Sequence, residues 1–544
     1  MNIKYFLFGI LFFLFCIPTF SQKDTSKKQI IDIISTFKPV IRNSSKVNFS
    51  ASYLSSDSSK FLAPYIVPSL NLYFAYKPIS LKPLALNVDT VLQLGVRNFL
   101  KIGYGSLSSP FASANFNFGN GLNSLLNLSA NYLSSKGPIQ NQDYSQLKAN
   151  LNGSYFSATN EVFGKLGLNL RDNYFYGYDH SILNFSKQDV LQRFNEIQGV
   201  VGVKNKVVND LGINYSPFIQ LTLFNNHLKL KENSFKFELP IEKSLGDIYY
   251  VKLSVKADIN SYSSIQSIEV IRFNNSIFQL SPEFIYNSKL FKVHGGLSPS
   301  WNDGKFVLLP NFYGQVKIND LPLMLQFGYT GQLISNSYRN LSLINPYLTP
   351  LSRQQNTKET DLFFGLKSSS GSHFSYSAKF SYLNYNHLPL YINDTSKDNK
   401  SFLISSESEI KNVQFHADIN YIISDQFTLS SAMTYNGYND LKDNQKPWGA
   451  IPFEFINSIS WQANNKFHLK SNFKYFSGAP FVLKYNVDKS ISNGADLSIS
   501  SEYSFNKKFS AWIDINNIFN NKYERWNNYQ VYGINVFGGL IIKF

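Results

Sequence analysis

Through most of the chain, apolar and polar residues alternate with a period of two, the spacing that places side chains on opposite faces of a β-strand. In the last segment Tyr532, Ile534, Val536, Leu540, Ile542 and Phe544 share one parity with Gly538, while Asn535 and Lys543 take the other beside Phe537 and Ile541. Phe467, Leu469, Phe473 and Tyr475 oppose His468, Lys470, Asn472 and Lys474, and Val413, Phe415, Ala417, Ile419 and Tyr421 oppose Gln414, His416, Asp418 and Asn420. Segments 249–259 and 374–382 repeat the scheme. A strand with one face in hydrocarbon and one in water must pair its backbone sideways into a closed cylinder, because lipid offers no hydrogen bonds. The pattern predicts an all-β fold, a transmembrane antiparallel β-barrel in the outer membrane of a diderm bacterium. At about 10 residues per strand, about 22 strands fit the region 92–544, and the number must be even if the ends meet antiparallel.

Short polar turns, Ser424-Asp425, Asn464-Asn465, Asn506-Lys507 and Asn319-Asp320, separate many strands and are expected on the periplasmic side, where barrel connections are tight. The longer gaps 338–357, 392–400, 437–447 and 523–529 are expected to be extracellular loops. Aromatics recur at strand ends, as in Tyr174-Phe175-Tyr176, Tyr382 with Tyr385, Trp461, and Trp512 with Trp526, and are expected at the lipid headgroups.

The beginning of the chain breaks the pattern. Lys4, an apolar run from Tyr5 to Ile17, Pro18 and the small residues Thr19 and Ser21 read as a signal peptide, residues 1–21, cleaved before Gln22. The run is shorter than the about 20 residues a membrane helix needs. It also holds Cys16, the one cysteine, so the mature chain would have neither disulfides nor thiolate metal sites. Residues 22–91 are rich in serine and lysine and interrupted by Pro39, Pro64, Pro68, Pro78 and Pro83. They are expected to form a short irregular arm, periplasmic or inserted in the lumen.

Composition agrees with a barrel: 48 Phe and 34 Tyr stand against 3 Met and 16% charged residues in 544. The net charge of +15 is spread singly over strands and turns, with no dense patch of the kind nucleic acid requires. It favours anionic solutes or the phosphates of lipopolysaccharide.

The segment 516–523, NNIFNNKY, followed by the ending GGLIIKF, resembles the C-terminal strands of TonB-dependent receptors, and LINPYLTP at 343–350 looks like a mid-barrel loop element of that family. The resemblance implies a structural role for Asn516, Asn517, Phe519, Asn520, Tyr523, Gly538, Gly539 and Phe544. It implies a barrel serving solute passage, with outer-membrane lipid and lipopolysaccharide as surroundings and the barrel-assembly machinery engaging the C-terminal strand. No plug-like glycine-rich motif or TonB box stands in 22–91, so a regular plug is not expected and coupling to TonB is doubtful. The alternative is a membrane-embedded structural subunit of an assembly, secretion or uptake complex, with a lipoprotein or periplasmic partner.

Chemistry finds no constellation. The seven histidines, His180, His227, His294, His373, His387, His416 and His468, include no HExxH and no pair at ligand spacing. Asp394 and Asp398 lie beside Lys397 and Lys400 and lack a calcium-loop series. No enzymatic activity, cofactor, metal or nucleic-acid partner is expected.

Overall fold

The computed structural model describes residues 98–544, apart from 120–122, 208, 210, 267–268, 319–321, 354, 371–372, 397, 424–425 and 483–487. The expected signal peptide, the arm 22–91 and the turns Asn319-Asp320 and Ser424-Asp425 lie outside the described residues.

The described chain is a closed antiparallel barrel of 22 strands. It begins with Phe99–Gly105 and ends with Asn535–Lys543, and these two pair with each other from Phe99 opposite Lys543 to Gly105 opposite Phe537. Every other barrel strand pairs with its neighbours in sequence, so no backbone edge faces lipid. One strand is split into Ile213–Tyr215 and Phe218–Asn226. The proline at position 217 has no N–H for the ladder, but its carbonyl still accepts from Val203 at 3.0 Å.

Alternation sorts the side chains as expected. Leu362 and Phe364, Ile219, Leu221 and Leu223, Phe278 and Phe284, and Ile534, Val536 and Leu540 are exposed on the outer face. Opposite parities carry Asp361 and Lys379, Asn412 and Gln414, and Glu283 and His294 inward, where they are buried. In water such an outer surface would be an aggregation site; in lipid it is the ordinary solution. Phe364→Arg, on the lipid face, is expected to cost about 2–4 kcal/mol, measured as a lowered urea midpoint in lipid vesicles.

Connections at the rim holding Asn98 and Phe544 run from three residues (157–159) to seven (206–212), and the predicted turns at 464–465 and 506–507 are among them. The opposite rim carries 335–356, 387–409, 440–452 and 517–534, which overlap all four expected long loops, although Thr357 and 437–439 belong to strands. By the asymmetry of outer-membrane barrels the first rim is periplasmic and the second extracellular. The extracellular loops have structure of their own: a helix, Tyr338–Ile344, and hairpins Leu388–Asn393 with Phe402–Glu407, Pro480–Val482 with Asp488–Ser490, and Glu524–Trp526 with Tyr529–Gln530.

Candidate functional site: the luminal wall and its loop cap

The inner wall is largely polar and many of its charges are paired with a strand one or two places away. Lys379 meets Asp361 at 2.7 Å, Lys474 meets Glu454 at 2.7 Å, Lys543 meets Glu502 at 2.6 Å, and Lys236 meets Asp258 at 3.0 Å. These pairs neutralise charge locally; the net +15 already counts every carboxylate and is not reduced by them. Near the periplasmic rim a recess of about 530 Å³ opens on this wall, lined by Asn127, Asn152, Glu161, Phe163, Lys165 and Lys204.

At the extracellular end the loops fold together into a buried aromatic cluster that includes Tyr176, Tyr338, Leu341, Leu348, Tyr391, Phe402, Trp526 and Tyr529. The helix is held by wall residues from strands remote in sequence. Ser337 caps it, accepting from the Asn340 N–H at 3.2 Å. Glu232 accepts from the N–H groups of Tyr338 at 2.7 Å and Arg339 at 3.2 Å, and the Arg339 guanidinium donates to Glu196 at 2.5 Å. At its other end Arg171 donates to the Ser342 carbonyl at 3.2 Å, and Gln192 to that of Leu348 at 3.2 Å. Arg171, Gln192, Glu196 and Glu232 share the inward parity of their strands, so the helix is drawn into the mouth. The C-terminal loop crosses to meet it. Tyr529 stacks on Tyr347 with ring centroids 3.5 Å apart and donates to the Lys400 carbonyl, Tyr176 donates to the Gln530 carbonyl at 2.8 Å, and Arg525 donates to the Gly449 carbonyl at 3.0 Å.

Burial pushes the Glu524 carboxyl above its ordinary range, although the Asn528 N–H donates to it at 2.8 Å. A carboxyl whose folded pKa exceeds the unfolded one favours folding in its neutral form. That contribution is complete below the ordinary value of 4.5 and fades as pH rises through the elevated one. Amide exchange in 517–534, corrected for its intrinsic pH dependence, should therefore be slower at pH 4 than at pH 7, and Glu524→Gln should remove the difference.

The family-motif residues form the entry to this loop and the barrel seam. Asn516 donates to the Asn535 side chain at 3.0 Å. Asn517, fully buried with φ +49°, donates to the carbonyls of Asn521 at 3.0 Å and Tyr532 at 2.8 Å and accepts from the Asn521 N–H at 3.1 Å. Asn520, also at φ +49°, accepts from the Ile534 N–H at 3.0 Å. Tyr523 is buried with its hydroxyl 3.2 Å from Asp496, whereas Phe519 is exposed. Gly538 and Gly539 lie on the last strand, and Phe544, exposed, donates its N–H to the Asn98 carbonyl at 3.1 Å. Asn517→Ala removes three hydrogen bonds at a left-handed position and should cost about 1–3 kcal/mol in vesicle unfolding, the range for a buried group left unpaired.

Several aromatics depart from the expected headgroup girdle. Trp461 and Tyr382 do face outward, but Tyr176 and Trp526 are cap core, Tyr385 is buried, and Trp512 points inward against Phe111 with Lys101 3.8 Å from its ring. Parity explains Trp512, since Ala511 and Ile513 hold the outer face of its strand. Tyr532 also leaves the outer face that its parity predicted: it is buried and donates to the Gln142 carbonyl at 3.1 Å.

The histidines are spread over separate elements. His294 stacks on Tyr313 beside Glu283, His416 lies between Thr434 and Asp418, and His468 meets Ser460 at 2.8 Å. The last two place hydroxyls against imidazoles within strands, where backbone N–H groups belong to the ladder. Among the described residues no group of three His, Cys, Asp or Glu could hold a metal ion. Asp394 accepts from the Ser396 N–H and hydroxyl, and Asp398 pairs with Lys400 at 3.2 Å.

The closed wall, apolar outside and polar within, defines an outer-membrane β-barrel. Its architecture is that of the TonB-dependent receptors. The FrpB iron transporter from Neisseria meningitidis superposes with a TM-score of 0.63 at 12% identity, over 82% of this chain and 81% of that one. The copper transporter OprC gives 0.59 at 11%, over 83% and 80%. A mutant of the ferric enterobactin receptor PfeA from Pseudomonas aeruginosa, in complex with enterobactin, gives 0.61 at 12%, over 84% and 82%. At these identities the likeness is one of fold. No protein-family profile and no curated protein matches the sequence.

Proposed function

We propose that this barrel serves passage of a solute across the outer membrane, with the loop cap as its outer gate. The observation that carries the reading is the largely polar inner wall of the 22-stranded barrel, beneath a cap fastened to that wall by side-chain hydrogen bonds. The similar structures are those of an iron transporter, a copper transporter and a ferric enterobactin receptor, so metal ions and their chelates are the first solutes to assay. In this proposal residues 22–91 are a short arm, periplasmic or inserted in the lumen, instead of a regular plug, and passage does not require TonB. The last strands, from Asn516 to Phe544, are the element offered to the barrel-assembly machinery.

The density of the cap favours a second reading, a membrane-embedded subunit whose lumen stays shut within a larger assembly. Two measurements separate them. Purified protein in planar bilayers should conduct more after deletion of 22–91, and chelates should enter proteoliposomes. Silence in both forms, with a stoichiometric lipoprotein or periplasmic protein copurifying from solubilised membranes, would turn the assignment to assembly.

A further inference from the structure

The outer face of the barrel carries a basic patch at the extracellular border of its apolar belt. Across five neighbouring strands the ladder places Asn195, Asn225, Lys231, Ser263 and Arg272 side by side, all on the outward parity. The next positions toward the rim add Arg193 and the turn residues His227 and Lys229. Arg193 is held by Asp172 at 2.7 Å through two parallel contacts. Lys229, Lys231 and Arg272 are exposed and form no ion pair among the described residues. Of the acids nearby, Glu232 faces inward and holds the helix, Asp303 accepts from the Ser276 N–H, and Glu269 stands at the hairpin tip beyond Arg272.

The height of this patch identifies what it meets. Arg193 and Lys231 each stand four residues above the first large outward apolar side chain of their strands, Ile197 and Phe235, with outward Asn195 and Asn233 between. Arg272 stands six residues above Phe278, with Asn274 and Ser276 between. At about 3.3 Å per residue and a tilt near 40°, four residues rise about 10 Å above the hydrocarbon border, the depth of lipid headgroups. Lys231 and Arg272 are two strands apart, about 10 Å at the usual strand spacing. Two unneutralised cations at that separation, with asparagine amides below them, match anionic groups on a bulky anchored headgroup. A free anion would gain nothing from the apolar belt beneath.

We infer that the outward surface formed by Lys229, Lys231 and Arg272, with Asn195, Asn225 and Asn233, binds the phosphate groups of lipopolysaccharide in the outer leaflet. This depends on the outer-membrane setting and is independent of what crosses the lumen. His227 contributes no charge at neutral pH, because burial and then the neighbouring Arg193 hold its imidazole below the ordinary value. Attraction is therefore carried by groups that stay charged across pH 6–8.

The test is native mass spectrometry of the full chain in detergent with phosphorylated lipid A, dephosphorylated lipid A and inorganic phosphate as probes. The triple variant Lys229→Ala, Lys231→Ala, Arg272→Ala should bind phosphorylated lipid A at least tenfold more weakly than the parent. The parent should bind dephosphorylated lipid A as weakly as the variant binds the phosphorylated form. Lys411→Ala, which removes a rim cation already paired with Asp440 at 2.6 Å, should change nothing. Heat-modifiable mobility on gels verifies that each variant is folded. Equal retention of lipid A by the parent and the triple variant, or indifference to its phosphates, overturns the inference. So does displacement of lipid A by millimolar inorganic phosphate, which would make this a site for free anions.

Discussion

Gly539→Val is expected to prevent the barrel from closing. A Cβ at this position would stand 1.9 Å from the Ile102 carbonyl oxygen and 2.6 Å from the Gly103 Cα, both backbone atoms of the facing strand. A crowded side chain can rotate away; a ladder-bonded carbonyl cannot. Overpacking costs about 1–3 kcal/mol even where neighbours can adjust, and more where they cannot. The strands concerned, Phe99–Gly105 and Asn535–Lys543, are the ones that join the ends of the sheet. The heat-modifiable folded species and the outer-membrane level of the protein should both fall below a tenth of the parent's. Gly538→Ala next to it should behave like the parent, because the nearest atom to its Cβ is the Trp512 carbonyl oxygen at 3.6 Å. Equal folded yields for Gly539→Val and the parent would mean that the seam is not the tight joint described here.

Replacing residues 337–355 by a short glycine-serine link is expected to give the second large effect, a several-fold rise in single-channel conductance. The exchange removes the helix Tyr338–Ile344 together with Tyr347 and Leu348, and so the partners of Arg171, Gln192, Glu196 and Glu232 on the wall. It also takes away the ring on which Tyr529 stacks. The barrel ladder does not include these residues, so folding should survive. Combined with deletion of 22–91, the conductance should exceed that of either change alone. A silent double deletion in a folded barrel would place the barrier elsewhere on the wall.

The barrel was legible in the sequence because its physical cause is local. One face of each strand lies in hydrocarbon, so parity alone sorts Phe364 outward and Asp361 inward, and about 22 such runs can be counted. The turns at 464–465 and 506–507 were equally readable, since tight hairpins demand a small set of residues. The cap was not. Arg171 and Glu232 look like any inward polar residue of their strands, and their partners in 338–342 are more than a hundred positions away. Aromatics misled for a related reason. Rings at strand ends satisfy either a headgroup girdle or a loop core, and only the course of the loops sends Trp526 and Tyr176 into the second. In LINPYLTP, the motif marked the segment but not its place in the mouth, where Tyr347 stacks on Tyr529 and Leu348 is buried.

The pairing of Phe99–Gly105 with Asn535–Lys543 sets the timetable of biogenesis. A fragment that lacks either of these strands leaves the amides of the other unpaired in a bilayer. Threading must therefore wait until both have been made, and the waiting chain needs a chaperone to keep its greasy face from neighbours. Any nonsense mutation upstream of position 535 then yields a product for the periplasmic proteases rather than a smaller pore.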